Sequence, residues 1–180
     1  MTKKQITGYS AGAKFFHWFI ALITILMLSA SYFLTNLPDQ YLGSAFMLHK
    51  SFGITVLFLM LIRLFWIGVS GKPALPARLP SWQKYLSRFV QYALYLTVIL
   101  MPLSGWIMST AANKIPYFFG LFHFSLPGIE PNKHLSALMK QTHNTLAWII
   151  IALLVLHIAG AIKHHFIDKD NVLDRMLPGR

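Results

Sequence analysis

The chain of 180 residues contains no cysteine and only five acidic residues. Without cysteine, it cannot form disulfide bonds, thiolate zinc sites, iron–sulfur clusters or the covalent attachment of c-type haem. Charged residues make up 12% of the chain, whereas they approach about a quarter of an ordinary soluble domain. They stand between long apolar runs, and this distribution predicts a polytopic membrane protein with little material left for a soluble domain.

Four apolar runs are long enough to cross the ~30 Å hydrocarbon layer of a bilayer as helices. They cover about residues 15–35, 46–69, 86–109 and 141–162. We therefore predict an all-α membrane protein in which residues 1–180 form one domain, a bundle of four transmembrane helices. The first run follows basic residues, as a signal peptide does, but its length and its histidine favour a retained helix. The longest loop, about residues 111–140, is expected to lie over one end of the bundle.

Basic residues are divided unequally between the two ends of the predicted spans. One end carries Lys3, Lys4, Lys14, Arg63, Lys72, Arg78, Lys84, Arg88, Lys163, Lys169, Arg175 and Arg180. The opposite end carries Lys50, Lys114, Lys133 and Lys140. This asymmetry predicts that both termini lie in the cytoplasm. The net charge of +11 then indicates contact with anionic lipid headgroups rather than with nucleic acid.

Four histidines lie inside the predicted spans, where ionisable side chains are costly and usually line a functional interior. His143 and His157 are fourteen residues apart, about 21 Å along a helix axis and within roughly 40° of one face. The predicted topology places His17 and His157 near the cytoplasmic edge, and His49 and His143 near the outer edge. The four histidines therefore fall into two pairs at two depths.

A pair of neutral imidazoles on facing helices suits iron in a porphyrin, a cofactor that helix bundles commonly hold. Zinc would require three or four ligands, usually with carboxylate or thiolate help, and no Asp or Glu lies inside a predicted span. We therefore predict His17, His49, His143 and His157 as axial ligands of two non-covalent b haems. For any one of them taken alone, a hydrogen-bonded core histidine is the competing interpretation.

Three further polar residues lie near the cytoplasmic edge of the predicted bundle. Arg63, fourteen residues after His49, is placed to meet haem propionates, or else to extend to the membrane surface. Gln91 is placed either as a hydrogen-bond partner of a quinone or haem, or as an interfacial residue. His164, seven residues after His157, is placed either to relay protons or to contact lipid headgroups.

Several segments together resemble the bacterial cytochrome b561 family. They are His17–Trp18, the sequence LHKSFGI followed by Arg63, the fourth span HNTLAWIIIALLVLH, and the tail KHHFIDKDNVLDRMLPGR. The resemblance covers nearly the whole chain. It implies a four-helix bundle in a bacterial inner membrane, with two b haems on the four histidines and electron exchange with the quinone pool.

The best-described bacterial member of that family is a superoxide:ubiquinone oxidoreductase. The resemblance thus implies oxidation of superoxide outside and reduction of ubiquinone, with His164 matching the quinone-side histidine. Lys50, Lys114, Lys133 and Lys140 would steer the anion. The sequence departs from the family at the inner end of span three, where Arg88 and Gln91 stand in place of expected histidines.

The same broad group includes haem subunits of hydrogenases and formate dehydrogenases. The alternative function is therefore a haem b membrane anchor, which relays electrons between a partner subunit and quinone without a substrate of its own.

Overall fold

The computed structural model describes residues 8–34, 36–76 and 78–179, so Lys3, Lys4 and Arg180 lie outside the described residues. Four long helices dominate the described chain: α1 (Ala11–Leu34), α2 (Asp39–Ser70), α3 (Ser81–Ala111) and α4 (Lys133–Phe166). A two-stranded antiparallel hairpin, β1 (Tyr117–Phe118) and β2 (Phe122–His123), lies between α3 and α4. All four helices are long and apolar enough to cross a membrane. The prediction of an all-α bundle with four apolar spans is confirmed.

The helices extend beyond the apolar runs because their flanking segments are also helix-compatible. α4 begins at Lys133 rather than near residue 141, since the side chain of Asn132 accepts a hydrogen bond from Leu135 N–H at 2.9 Å and caps the first turn. α2 and α3 each begin directly after a proline, Pro38 and Pro80. The short loop before α2 and the proline-rich segment before α3 therefore mark where each helix starts.

Helix packing is uneven around the bundle. In the described residues α3 packs closely on α4 and α2, and α1 packs closely on α2. α4 makes no comparably close packing with α1 or α2. A gap therefore separates the backbone of α4 from the backbones of α1 and α2. Only side chains can bridge this part of the interior.

An apolar cluster occupies the middle of the bundle and draws on all four helices. Its buried members are Ile20, Ile23, Val56, Met60, Val98 and Ile150. Ile150 lies midway between His143 and His157 along α4, and it is 1% exposed. The cluster thus separates the two ends of the bundle with side chains that offer no path to water or ions.

Large apolar side chains cover the outside of the bundle, as lipid contact requires. On α1 alone, Phe15, Phe19, Leu22 and Leu26 are each at least 40% exposed. The connection between α3 and α4 packs back on the bundle, where the Trp106 indole donates to Phe124 O at 2.8 Å. This hairpin-containing segment therefore closes one end of the bundle.

Candidate functional site: two facing histidine pairs

The four histidines of the spans meet as two pairs. His17 on α1 faces His157 on α4, with ring centroids 6.1 Å apart and ring planes at 65°. His49 on α2 faces His143 on α4, with centroids 6.2 Å apart and planes at 67°. We call the first the termini-side pair, because it shares its end of the bundle with the start of α1 and the segment after α4, and the second the loop-side pair. The structure brings together the same partners that depth along the sequence predicts.

The ring spacing fits one metal atom between the two rings of each pair. A direct N–H···N hydrogen bond would bring the centroids to about 5 Å, because its donor–acceptor distance is ~2.9 Å. Two imidazoles that coordinate the same metal at ~2.0 Å per bond have centroids roughly 6 Å apart. Both observed distances, 6.1 Å and 6.2 Å, match the metal-bridged arrangement and exceed the directly bonded one.

The donor set fits a macrocycle better than a bare metal ion. Among the described residues, neither pair belongs to a group of three or more His, Asp or Glu side chains close enough to hold an ion. A zinc site needs more protein ligands than two imidazoles. The pairs also connect α4 with the two helices that it does not closely contact. A flat macrocycle that brings its own in-plane ligands fits both observations.

His143 is held by the backbone of α3. Its Nδ1 lies 3.0 Å from Met101 O and 3.1 Å from the hydroxyl oxygen of Ser104. The Ser104 hydroxyl itself donates to Met101 O at 2.7 Å. A proton on Nδ1 that is donated to this carbonyl leaves the Nε2 lone pair of His143 free to bind a metal.

Gly105 gives His143 the room for this position. A Cβ at residue 105 would lie 2.9 Å from Cε1 of His143, closer than real side chains approach. In the sequence, Gly105 stands out only as a kink-forming residue with Pro102 in MPLSG. The relation of Gly105 to His143 depends on the register of α3 against α4, which hydropathy does not report.

Arg63 is buried at the level of the termini-side pair. Its side chain is 7% exposed, and the charge interacts with both His17 and His157. The guanidinium carbon lies 5.4 Å from the ring centroid of Tyr95. Its Nε has no hydrogen-bond partner in the described part of the chain. A buried cation with a free donor beside two facing histidines fits a carboxylate ligand group.

The other three residues predicted near this end have separate surroundings. Gln91 donates from Nε2 to the hydroxyl of Tyr95 at 3.1 Å, so it approaches Arg63 through Tyr95. Arg88 is exposed on α3. His164 is 7% exposed, with its Nδ1 2.8 Å from Oδ2 of Asp170. The hydrogen bonds of Gln91 and His164 therefore lead to different partners.

Asp168, the other aspartate near His164, has a charged partner of its own. Asp168 pairs with Lys163 at 2.6 Å and lies 3.4 Å from Nδ1 of His164. A histidine that donates Nδ1–H to a carboxylate has a fixed tautomer, which leaves Nε2 as its proton-accepting atom. The sequence does not reveal the role of Asp170, since the tail must fold back before the two residues meet.

Four lysines lie at the loop-side end, as the distribution of basic residues along the sequence predicts. Lys50, which follows His49, is half-buried and donates from Nζ to Lys114 O at 2.9 Å. It lines a cavity of about 380 Å³ between α2 and the hairpin segment. Lys114, Lys133 and Lys140 are exposed, so positive charge is spread around the loop-side surface.

Known proteins resemble this chain over nearly its whole length. The family profile described as prokaryotic cytochrome b561 matches residues 8–179. The chain is 36% identical over 166 residues to cytochrome b561 homolog 2 of Escherichia coli (strain K12), which covers 90% of this chain and 87% of the relative. It is 33% identical over 172 residues to cytochrome b561 homolog 1 of the same organism, covering 92% and 94%. It is 30% identical over 164 residues to a protein of Yersinia pestis named probable superoxide oxidase CybB, covering 90% and 91%.

Proposed function

Because this chain belongs to the prokaryotic cytochrome b561 family of multi-pass membrane electron-transfer proteins, we propose that it carries electrons between the two faces of a bacterial inner membrane through two b haems. His17 and His157 would hold one haem, and His49 and His143 would hold the other. The observation that carries this proposal is the spacing of the facing rings, 6.1 Å and 6.2 Å. Bound in this way, each haem supplies reversible one-electron chemistry.

The chain's own residues fix these centres and keep water away from them. With two imidazoles on each iron, no coordination position would remain for a substrate, so a donor or acceptor would react at the edge of the site. The guanidinium of Arg63, buried with its Nε unpartnered in the described residues, would hold a propionate at the termini-side pair. The apolar cluster around Ile150 excludes water between the pairs, which favours transfer of electrons rather than of ions or protons along the bundle axis.

The termini-side pair lies on the cytoplasmic side in this proposal. Within the described residues, Lys72, Arg78, Lys84, Arg88, Lys163, Lys169 and Arg175 flank that end of the bundle. The positive-inside rule therefore places both termini in the cytoplasm and the hairpin segment on the periplasmic side.

Superoxide is the proposed electron donor at the periplasmic side. One relative, at 30% identity, is named a probable superoxide oxidase. Lys50, Lys114, Lys133 and Lys140 give that side a positive field, which attracts a small anion over about a Debye length. Lys50, the residue after His49, places part of that charge in the cavity between α2 and the hairpin segment. Oxidation of superoxide to dioxygen delivers one electron and requires no proton.

Ubiquinone is the proposed acceptor at the cytoplasmic side. Its reduction to quinol takes two electrons from two successive turnovers and two protons. His164, with Nδ1 fixed by Asp170, is the proposed proton relay through Nε2, and Gln91 and Arg88 are the other polar residues proposed at this end. A cavity of about 670 Å³ lined by Phe15, Trp18 and Phe19, among others, offers apolar space for a quinone ring on the outer face of α1.

Reconstitution in quinone-containing vesicles tests this function. Purified protein should become reduced when superoxide is generated, and ubiquinol should then accumulate with two superoxide molecules consumed per quinol. The double variant His49→Leu with His143→Leu should abolish this reaction. If the protein takes electrons only from co-purifying iron–sulfur subunits and never from superoxide, the chain is instead a haem anchor of a larger dehydrogenase or hydrogenase.

A further inference from the structure

The segment after α4, residues 168–179, is fixed at its start by a buried contact with α4. The backbone N–H of Asp170 donates to His164 O at 3.1 Å, and the Asp170 carboxylate lies 2.8 Å from Nδ1 of His164. The other carboxylate oxygen accepts from Val172 N–H at 3.0 Å. His164 is 7% exposed and the Asp170 side chain is 19% exposed, so competing water reaches this anchor mainly from the Asp170 side.

The far end of the segment is fixed to α1. Lys14 donates from Nζ to Leu177 O at 2.8 Å, and Lys14 itself is buried. The indole N–H of Trp18 donates to Met176 O at 2.9 Å. These two donors lie one turn apart on α1 and hold two consecutive carbonyls, so the segment docks in one register.

Within the segment, Arg175 also forms hydrogen bonds with two other parts of the chain. Arg175 accepts at its carbonyl from Tyr9 N–H at 3.3 Å. Its guanidinium donates to Ala74 O in the linker between α2 and α3. The segment therefore contacts the start of α1, the end of α4 and the α2–α3 linker at one end of the bundle.

Both anchors are close to the termini-side pair. Trp18 follows His17, and the two rings meet edge to face with centroids 5.3 Å apart. His164 lies two turns beyond His157 on α4. α1 and α4 do not pack closely along their length in the described residues, so residues 168–179 provide the hydrogen-bonded link between the two helices that carry this pair.

We propose that residues 168–179 form a strap that sets the distance and angle between His17 and His157, with Trp18 as the positioning residue. This rests on the proposed function only in that the pair holds a haem. The loop-side pair is positioned differently, through the contact of His143 with Met101 and Ser104. Loosening the strap should therefore disturb one haem and leave the other unchanged.

Electron paramagnetic resonance of the oxidised protein tests the strap, because the g-values of a low-spin haem depend on the angle between its axial imidazole planes. Trp18→Phe keeps an aromatic side chain and removes the indole donor, and Asp170→Ala releases the other end. Both variants should shift or broaden the signal that His17→Leu abolishes and preserve the signal that His143→Leu abolishes. Trp148→Phe, on a residue that is 73% exposed on α4, is the matched control and should change neither signal.

A second measurement does not depend on haem. The natural chain has no cysteine, so Leu177→Cys introduces a single thiol in the strap while its backbone carbonyl remains. Alkylation of this thiol should be several-fold faster when Trp18→Phe or Asp170→Ala is also present, and unchanged with Trp148→Phe. Unchanged alkylation in both strap variants, or equal disturbance of both haem signals, would overturn the proposal. If alkylation accelerates in protein that binds no haem at all, the strap stands and the haem assignment fails.

Discussion

Nδ1 of His143 lies 3.0 Å from the carbonyl oxygen of Met101. This contact orients one imidazole of the loop-side pair from a helix that contributes no histidine. The termini-side pair has a different support, since Trp18 contacts His17 and the strap of residues 168–179. The two haem sites proposed here therefore depend on different parts of the chain and can be disturbed one at a time.

Gly105→Ala should disturb the loop-side site selectively. The new Cβ would lie 2.9 Å from the His143 ring, and the ring cannot retreat without leaving Met101. We expect the protein to retain one haem instead of two, or to retain both with one altered low-spin signal, as measured by haem quantitation and electron paramagnetic resonance. The control is Gly68→Ala on α2, where a Cβ meets nothing within 4 Å; an equal loss in that variant would point to a general helix effect.

Arg63→Leu should lower the reduction potential of the termini-side haem. A buried positive charge stabilises the reduced form, which carries one positive charge fewer at iron. At an effective dielectric constant near 20, this interaction corresponds to a shift on the order of 100 mV at most. Potentiometric titration should show one of two potentials falling, with partial recovery in Arg63→Lys. Arg88→Leu, on an exposed residue of α3, should leave both potentials in place; a similar fall there would contradict a specific role for Arg63.

Haem reduction by superoxide should slow as salt concentration rises. The loop-side lysines act over distances comparable to the Debye length, which shrinks from about 10 Å at 0.1 M salt to about 3 Å at 1 M. Replacing Lys50, Lys114, Lys133 and Lys140 by glutamine should lower the rate at low salt and flatten its salt dependence. The matched control replaces Lys72 and Lys169, at the opposite end, by glutamine. If the rate of haem reduction in the natural protein does not change with salt concentration, steering by these lysines is excluded.

Single introduced cysteines should report the orientation directly, since the chain has none of its own. Ser125→Cys in the hairpin segment and Asn171→Cys in the tail both lie at exposed positions. A membrane-impermeant maleimide added to spheroplasts should label the first at once and the second only after the membrane is broken. The reverse pattern would invert the proposed topology and move the four lysines to the cytoplasmic face.

The sequence predicts the features that depend only on hydropathy and on the position of a residue along its helix. The number of spans follows from hydropathy, and the partners of His17 and His49 follow from counting residues along antiparallel helices. The residues that hold the histidines in place cannot be predicted in this way, because their positions depend on helix register and on where the chain turns back. Met101 contacts His143 only through the register of α3 against α4, and Asp170 reaches His164 only after the tail turns back.

The connection between α3 and α4 also shows what the sequence alone does not predict. Its aromatic and glycine content indicates a loop over the end of the bundle, and the packing of Trp106 against Phe124 agrees. The earlier start of α4 depends on a cap by Asn132, a local signal outside the apolar run. Hydropathy therefore locates the membrane-crossing part of a helix and underestimates its length.

Quantitation of haem in the purified protein and in four single His→Leu variants tests the central claim most directly. The account predicts two low-spin b haems per chain. His17→Leu and His157→Leu should lose the same haem, and His49→Leu and His143→Leu should lose the other. A colourless protein, a single haem per chain, or a set of losses that crosses these pairs would contradict the account.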